Sequence, residues 1–146
     1  MQIKPLEERN DIIINQLTDI WQSSVIATHD FLSSADIAEL TPQVREYLKS
    51  IETLHCYYDK NGSIQGFLGM EGKKIEMLFI PADCIGKGIG KALLNYAITN
   101  LGAIYVDVNE QNDKATGFYL HMGFRVISRS ELDGQGRPFP ILHLGL

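Results

Sequence analysis

Three alternating glycines, Gly86, Gly88 and Gly90, are interleaved with Lys87, Ile89 and Lys91. Glycine lets the backbone approach a ligand closely, and successive N–H groups can then converge on phosphate oxygens. An apolar periodic stretch follows: Ile89, Leu93, Ala97 and Ile98, then Leu101. The loop would therefore open a helix, whose positive N-terminal end adds to the pull on an anion. Lys87 and Lys91 add charge at the same place. Glycine costs about 1 kcal/mol in a helix relative to alanine, so three at a helix entry need a reason. The spacing excludes two common phosphate loops. A Walker loop needs glycine at position 85 and serine or threonine at 92, where the chain has Ile85 and Ala92. A dinucleotide fingerprint needs its third glycine at 91 or 93, where the chain has Lys91 and Leu93.

Other reactive residue types are sparse. Cys56 and Cys84 have no metal-type spacing, and the sequence has no His/Cys/carboxylate cluster, so no metal is expected. Cys84 lies just ahead of the glycine loop, but no histidine is near it in sequence. It reads as incidental, and Cys56 reads as a core strand residue.

The elements that must position the loop follow from periodicity. Ile3 opens a short strand. Asn10 or Asp11 caps a helix running to about Ala27, with Ile13, Leu17, Ile20, Trp21 and Ser24 on its buried face. Thr28-His29-Asp30-Phe31-Leu32 reads as a connection. Ser33 or Ser34 caps a second helical stretch, which Thr41-Pro42 is expected to reset with a fresh cap. The pattern then turns strand-like over Leu54 to Asp59, Ser63 to Met70 and Lys74 to Ile80. Lys60-Asn61-Gly62 and Glu71-Gly72-Lys73 supply the two turns. After the glycine-entry helix come a buried strand at Ile104 to Val108 and a short helix at Lys114 to Met122. A final strand pair spans Arg125 to Ser130 and Phe139 to Leu144. The order β-αα-βββ-α-β-α-ββ describes a mixed α/β sheet with helices packed on it.

The chain has 146 residues, enough for one domain with a sizeable core, and shows no repeat, low-complexity tract or linker. Its formal net charge of −5 argues against nucleic acid, which needs clustered Lys and Arg. No apolar run approaches the roughly 18 residues of a membrane span. The first residues lack the pattern of a signal peptide, so a cytoplasmic protein with no membrane partner is expected.

Leu78-Phe79-Ile80-Pro81, followed after a short gap by Gly86 to Leu94, resembles the acetyl-CoA motif of the GNAT N-acetyltransferases. Asn112, Ala115, Phe118-Tyr119 and Gly123-Phe124 match the family's second signature at the expected spacing, and the element order matches from end to end. A group of small bacterial members, described as acetylating protein lysines, is resembled more closely. The residues carrying that likeness are Ala27 to Leu32, Leu78 to Ile80, Val108 to Asn112, Gly117 to Tyr119 and Arg129-Ser130-Glu131, with Pro138 and Pro140. There is one departure: the family usually has Gln or Arg where this chain has Ile85. Backbone donors survive that change, but one side-chain contribution to the phosphate site is missing.

The resemblance implies a GNAT fold of the α/β class, a single domain over residues 1–146. Its mixed, mostly antiparallel central sheet would be splayed between the fourth and fifth strands and flanked by four helices. Acetyl-CoA would be the co-substrate. Leu78, Phe79 and Ile80 would flank the pantetheine arm, and Gly86, Lys87, Gly88, Ile89, Gly90 and Lys91 would take the pyrophosphate. Asn112 would hydrogen-bond the arm, although it also reads as a helix cap. Phe118 would pack against the cofactor or the core. Tyr119 matches the family's general acid. The base is open between Glu76, expected to share a strand face with Leu78, and His29, in the loop that usually forms the acceptor wall. Asn109 would orient the acceptor or the thioester. The acceptor would be a primary amine, either protein lysine or a small molecule, and the enzyme would be a monomer or homodimer. A non-catalytic acyl-CoA sensor is the alternative from another class.

Overall fold

The computed structural model describes residues 2–146. The chain runs β1 (Gln2–Pro5), α1 (Asp11–Thr28), α2 (Ser34–Ser50), β2 (Thr53–Tyr58), β3 (Ile64–Glu71), β4 (Lys74–Phe79), α3 (Ile89–Leu101), β5 (Tyr105–Asn109), α4 (Asp113–His121), β6 (Arg125–Ser130) and β7 (Ile141–Gly145). The mixed α/β order is the expected one. A single 3₁₀ turn at Ala82–Cys84, ahead of the glycine loop, was not. Two compact units divide the chain, one ending at Ala103 and one spanning Ile104–Leu146.

In the first unit β1, β2, β3 and β4 lie in sequence order, each antiparallel to the next. Asn10 caps α1, its side chain accepting from the Ile13 N–H at 3.0 Å. The buried face of α1 is turned slightly from the expected one. Ile14, Leu17, Thr18, Trp21, Ser24 and Val25 are inside, while Ile13 and Ile20 are only half-buried. Leu17 and Ile14 are fully buried, each stabilising the fold by about 1.5–3 kcal/mol relative to exposure. They pack with Leu48, Ile51, Leu54, Cys56, Phe67 and Met77 on one face of the sheet.

Ser33 starts α2 through a reciprocal capping box with Asp36. The expected reset at Thr41-Pro42 does not occur, and α2 runs through Pro42. Proline lacks the N–H that would serve the carbonyl four residues back. The neighbouring Thr41 hydroxyl donates to the Ile37 carbonyl at 2.7 Å, and Gln22 of α1 donates to Thr41 at 3.0 Å. Val44, Tyr47 and Leu48 press the same helix onto the core. Tertiary packing therefore outweighs one missing hydrogen bond.

The hairpin between β2 and β3 closes as expected. Asp59 accepts from the N–H groups of Asn61 (2.8 Å) and Ser63 (3.0 Å). α3 lies close against β3 at Gly66, where an added Cβ would come 2.7 Å from Ile80 Cδ1 and 3.2 Å from Leu93 Cδ1. In the second unit β7 lies between β5 and β6, antiparallel to both. Val106, Val108, Tyr119, Phe124 and Leu144 are its buried side chains of apolar character.

His55 on β2 is buried, 5.2 Å from the Tyr96 ring, and its Nδ1 has no hydrogen-bond partner among the described residues. Burial lowers its pKa from 6.5, and that of His29 likewise. Below about pH 6.5 the unfolded chain therefore binds protons that the folded chain refuses, and stability rises with pH through this window. Chemical denaturation should show stability falling as pH drops from 7 towards 5, with a shallower slope in His55→Gln. An unchanged slope in that variant would mean that His55 has the same pKa in the folded and unfolded chains.

Candidate active site

The route into α3 is short. After Phe79 the chain makes its 3₁₀ turn, then passes through Ile85 into the glycine segment. Gly86 has φ +87° and Gly88 has φ +83°, the left-handed region that residues with a Cβ avoid. Gly88 is the N-cap of α3, and with no side chain it supplies no cap hydrogen bond. A Cβ at either glycine would meet no atom within 4 Å, so the space over the loop is open. The first turn of α3 carries no acidic residue, while Lys87 and Lys91 are exposed beside it. Unsatisfied N–H groups, a helix dipole and two cations together fit a phosphate. Ile85 is also exposed and adds no charge.

Cys84 is buried just before this loop. Its thiol donates to Gln65 Oε1, and burial first, then the Asp83 charge, raises its pKa. A thiol held in this environment is less readily ionised than a free one.

β4 departs from the expected geometry. Met70 pairs with Ile75 and Gly69 with Met77, so Glu76 is the extra residue of a β-bulge. Glu76 and Leu78 therefore do not share a face. Phe67 packs in the α1/α2 core, so Leu68 and its partner Leu78 look the other way. The Glu76 carboxylate instead lies near Tyr47 of α2. Burial first, then Glu76 and Glu71, push the Tyr47 phenol up to about 12. Lys74 lies 3.6 Å from Glu76. The sequence of β4 carries no mark of this bulge. Phe79 is half-buried against Phe67, ring centroids 5.8 Å apart, so its side chain serves the core.

His29 terminates α1, its N–H donating to the Val25 carbonyl at 2.8 Å. The Thr28 hydroxyl donates to the Ser24 carbonyl, so its oxygen accepts the His29 Nδ1–H at 2.8 Å. That assigns the proton to Nδ1 and leaves the lone pair on Nε2. Burial lowers the His29 pKa, outweighing the Asp30 charge, so the ring is neutral at neutral pH.

In the second unit Asn109 ends β5 and its carbonyl accepts from the Asn112 N–H at 2.9 Å. Asn112 is buried and caps α4, its Oδ1 accepting from the Ala115 N–H at 3.1 Å. The cap uses only the oxygen, so the side-chain NH₂ keeps its donors. Tyr119 is buried two turns further on, edge-on to Phe118 (5.2 Å) and Phe124 (5.6 Å). Burial raises its pKa, so the phenol stays protonated at neutral pH. Among the described residues no group of His, Cys, Asp and Glu could hold a metal, and no helix is long and apolar enough to cross a membrane.

Residues 29–139 match the family described as "Acetyltransferase (GNAT) domain". The peptidyl-lysine N-acetyltransferase YjaB of Salmonella typhimurium is 43% identical over 129 residues, covering 88% of each chain. The solution structure of apo-form YjaB from Escherichia coli superimposes with a TM-score of 0.87 at 36% identity, over 99% of this chain and 97% of that one. An aminoglycoside 6'-N-acetyltransferase complexed with coenzyme A shares the fold alone, with a TM-score of 0.64 at 15% identity over 100% of this chain and 96% of its own.

The cap assignment gives a direct test. Asn112→Ala should cost about 1 kcal/mol of stability, whereas Asn112→Asp, which also caps well, should cost little. Denaturant titrations of both variants measure this. Equal losses would place the stabilising contact on the amide nitrogen instead.

Proposed function

The chain belongs to the GNAT family of acetyltransferases, and on that premise we propose that it transfers an acetyl group from acetyl-CoA to a primary amine, with protein lysine as the acceptor. The observation that carries the reading is the uncapped, acid-free N-terminus of α3, entered through two left-handed glycines with open space above them. A pyrophosphate would take the N–H groups from Gly86 to Lys91, with Lys87 and Lys91 screening its charge. Pantetheine amides would pair with the backbone of Leu78 and Ile80, as an added strand does. The free donors of Asn112 would meet the arm, and Phe118 would pack against it. The names of the YjaB relatives support a lysine acceptor.

The amine nitrogen attacks the thioester carbonyl carbon. A C–N bond forms, the C–S bond breaks, and the sulfur leaves with the electron pair. Tyr119 gives this thiolate a proton, since burial keeps its phenol protonated until the sulfur develops charge. The acceptor must lose its own proton, because a lysine is mostly charged at neutral pH. His29 suits that task, with a neutral ring and a lone pair on Nε2. Glu76, on the α2 side of β4, would draw the cationic amine and relay a proton through water. Asn109 would orient the acceptor.

Tyr119→Phe keeps the buried ring and removes one hydroxyl. We expect kcat to fall by about 10²–10⁴-fold, with CoA affinity and melting temperature little changed. Free-thiol release measured with lysine peptides and small amines also ranks the acceptors. Wild-type turnover surviving in Tyr119→Phe would remove the residue from the mechanism, and wild-type protein with no turnover on any amine would favour a sensor.

Gly88→Trp should abolish CoA binding by filling the phosphate site. Calorimetry on the folded variant checks this, and unchanged affinity would contradict the assignment.

A further inference from the structure

The second unit holds a further set of reactive side chains in mutual contact, apart from those used above. Asp107 of β5 stands directly opposite His143 of β7. On the other side of β7, Ser128 of β6 is opposite His143, and Ser130 at the end of β6 reaches the ring diagonally. Asp107 Oδ1 lies 2.7 Å from His143 Nδ1, and Ser130 Oγ lies 2.7 Å from His143 Nε2. An ionised carboxylate can only accept, so Nδ1 carries the proton and donates to Asp107. In the neutral ring the Nε2 lone pair is then left to accept the Ser130 hydroxyl. Nucleophile, base and orienting carboxylate stand in the order and tautomer that serine acyl transfer requires.

The set is also reachable. The side chains of His143 and Asp107 are 34% and 31% exposed. Val106 and Val108, the neighbours of Asp107 along the strand, are buried, so Asp107 lies on the opposite face from them.

We propose that Ser130, His143 and Asp107 form a second catalytic site, a serine esterase acting on carboxylic esters. Ser130 Oγ attacks the ester carbonyl carbon while its proton passes to His143 Nε2. The ester C–O bond breaks, and the alcohol leaves with that proton. Water then attacks the acyl-serine, giving one proton to Nε2. The Oγ–acyl bond breaks, Ser130 recovers the proton, and a carboxylic acid is released. Asp107 holds the tautomer throughout and is the positioning residue.

The test uses the whole protein without CoA, p-nitrophenyl acetate as substrate and a fluorophosphonate as the trapping probe. Mass spectrometry of the wild type should place the phosphonyl adduct on Ser130. Ester turnover should fall by about 10²-fold or more in Ser130→Ala and in His143→Gln. Asp107→Asn, which can hold the wrong tautomer, should lower kcat more than it alters KM. A folded wild-type protein with no adduct at Ser130 overturns the proposal, even where a variant fails to fold. So does ester turnover that survives intact in a folded Ser130→Ala protein.

Discussion

Before α3 can begin, the backbone must pass twice through the left-handed region, at Gly86 and again at Gly88. A residue with a Cβ in that conformation costs about 1–2 kcal/mol, so the two positions are effectively restricted to glycine. The same requirement removes any side chain that could cap the helix. The first N–H groups of α3 are left without a side-chain cap, which is unfavourable for a helix alone and favourable for a helix that receives an anion. The rest of the first unit holds this entry in place. β4 delivers the chain to it, and Gly66 lets Leu93 of α3 come close to the sheet.

The second unit solves its helix start in the opposite way. Asn112 is buried and spends its carbonyl oxygen on the first turn of α4, so that helix is capped from within. Capping sets the helix at the end of β5, and two aromatic edges then hold the Tyr119 ring. The cap takes only the oxygen of this asparagine, and its NH₂ acts separately.

The β4 bulge separates two kinds of work along one strand. Leu78 keeps the regular register with Leu68. Glu76, displaced by the bulge, joins Tyr47 and Glu71 on the side covered by α2. A regular strand would have placed Glu76 and Leu78 together on one face. The bulge therefore puts the carboxylate on the α2 side, near Tyr47, and away from the face of Leu78.

The sequence by itself determined the order of elements and marked the turn before β3 and the glycine entry to α3, and it narrowed the first two helix caps to Asn10 or Asp11 and to Ser33 or Ser34. Each of these depends on neighbours a few residues away, through hydrogen bonds or backbone freedom that residue type specifies directly. The same is true of the family, whose two signatures are local strings around Gly88 and Tyr119. Tertiary structure decided what local rules leave balanced. Pro42 signals a helix start in isolation, yet packing on α1 carries α2 through it. The α1 face turned to favour Ile14 and Val25 over Ile13 and Ile20 because the sheet selects which stripe is covered. The bulge at Glu76 exists only in the register of β4 against β3. Asp107, Ser130 and His143 are far apart in the chain and share no local pattern. Only the pairing of β5 and β6 with β7 brings their side chains within hydrogen-bond reach.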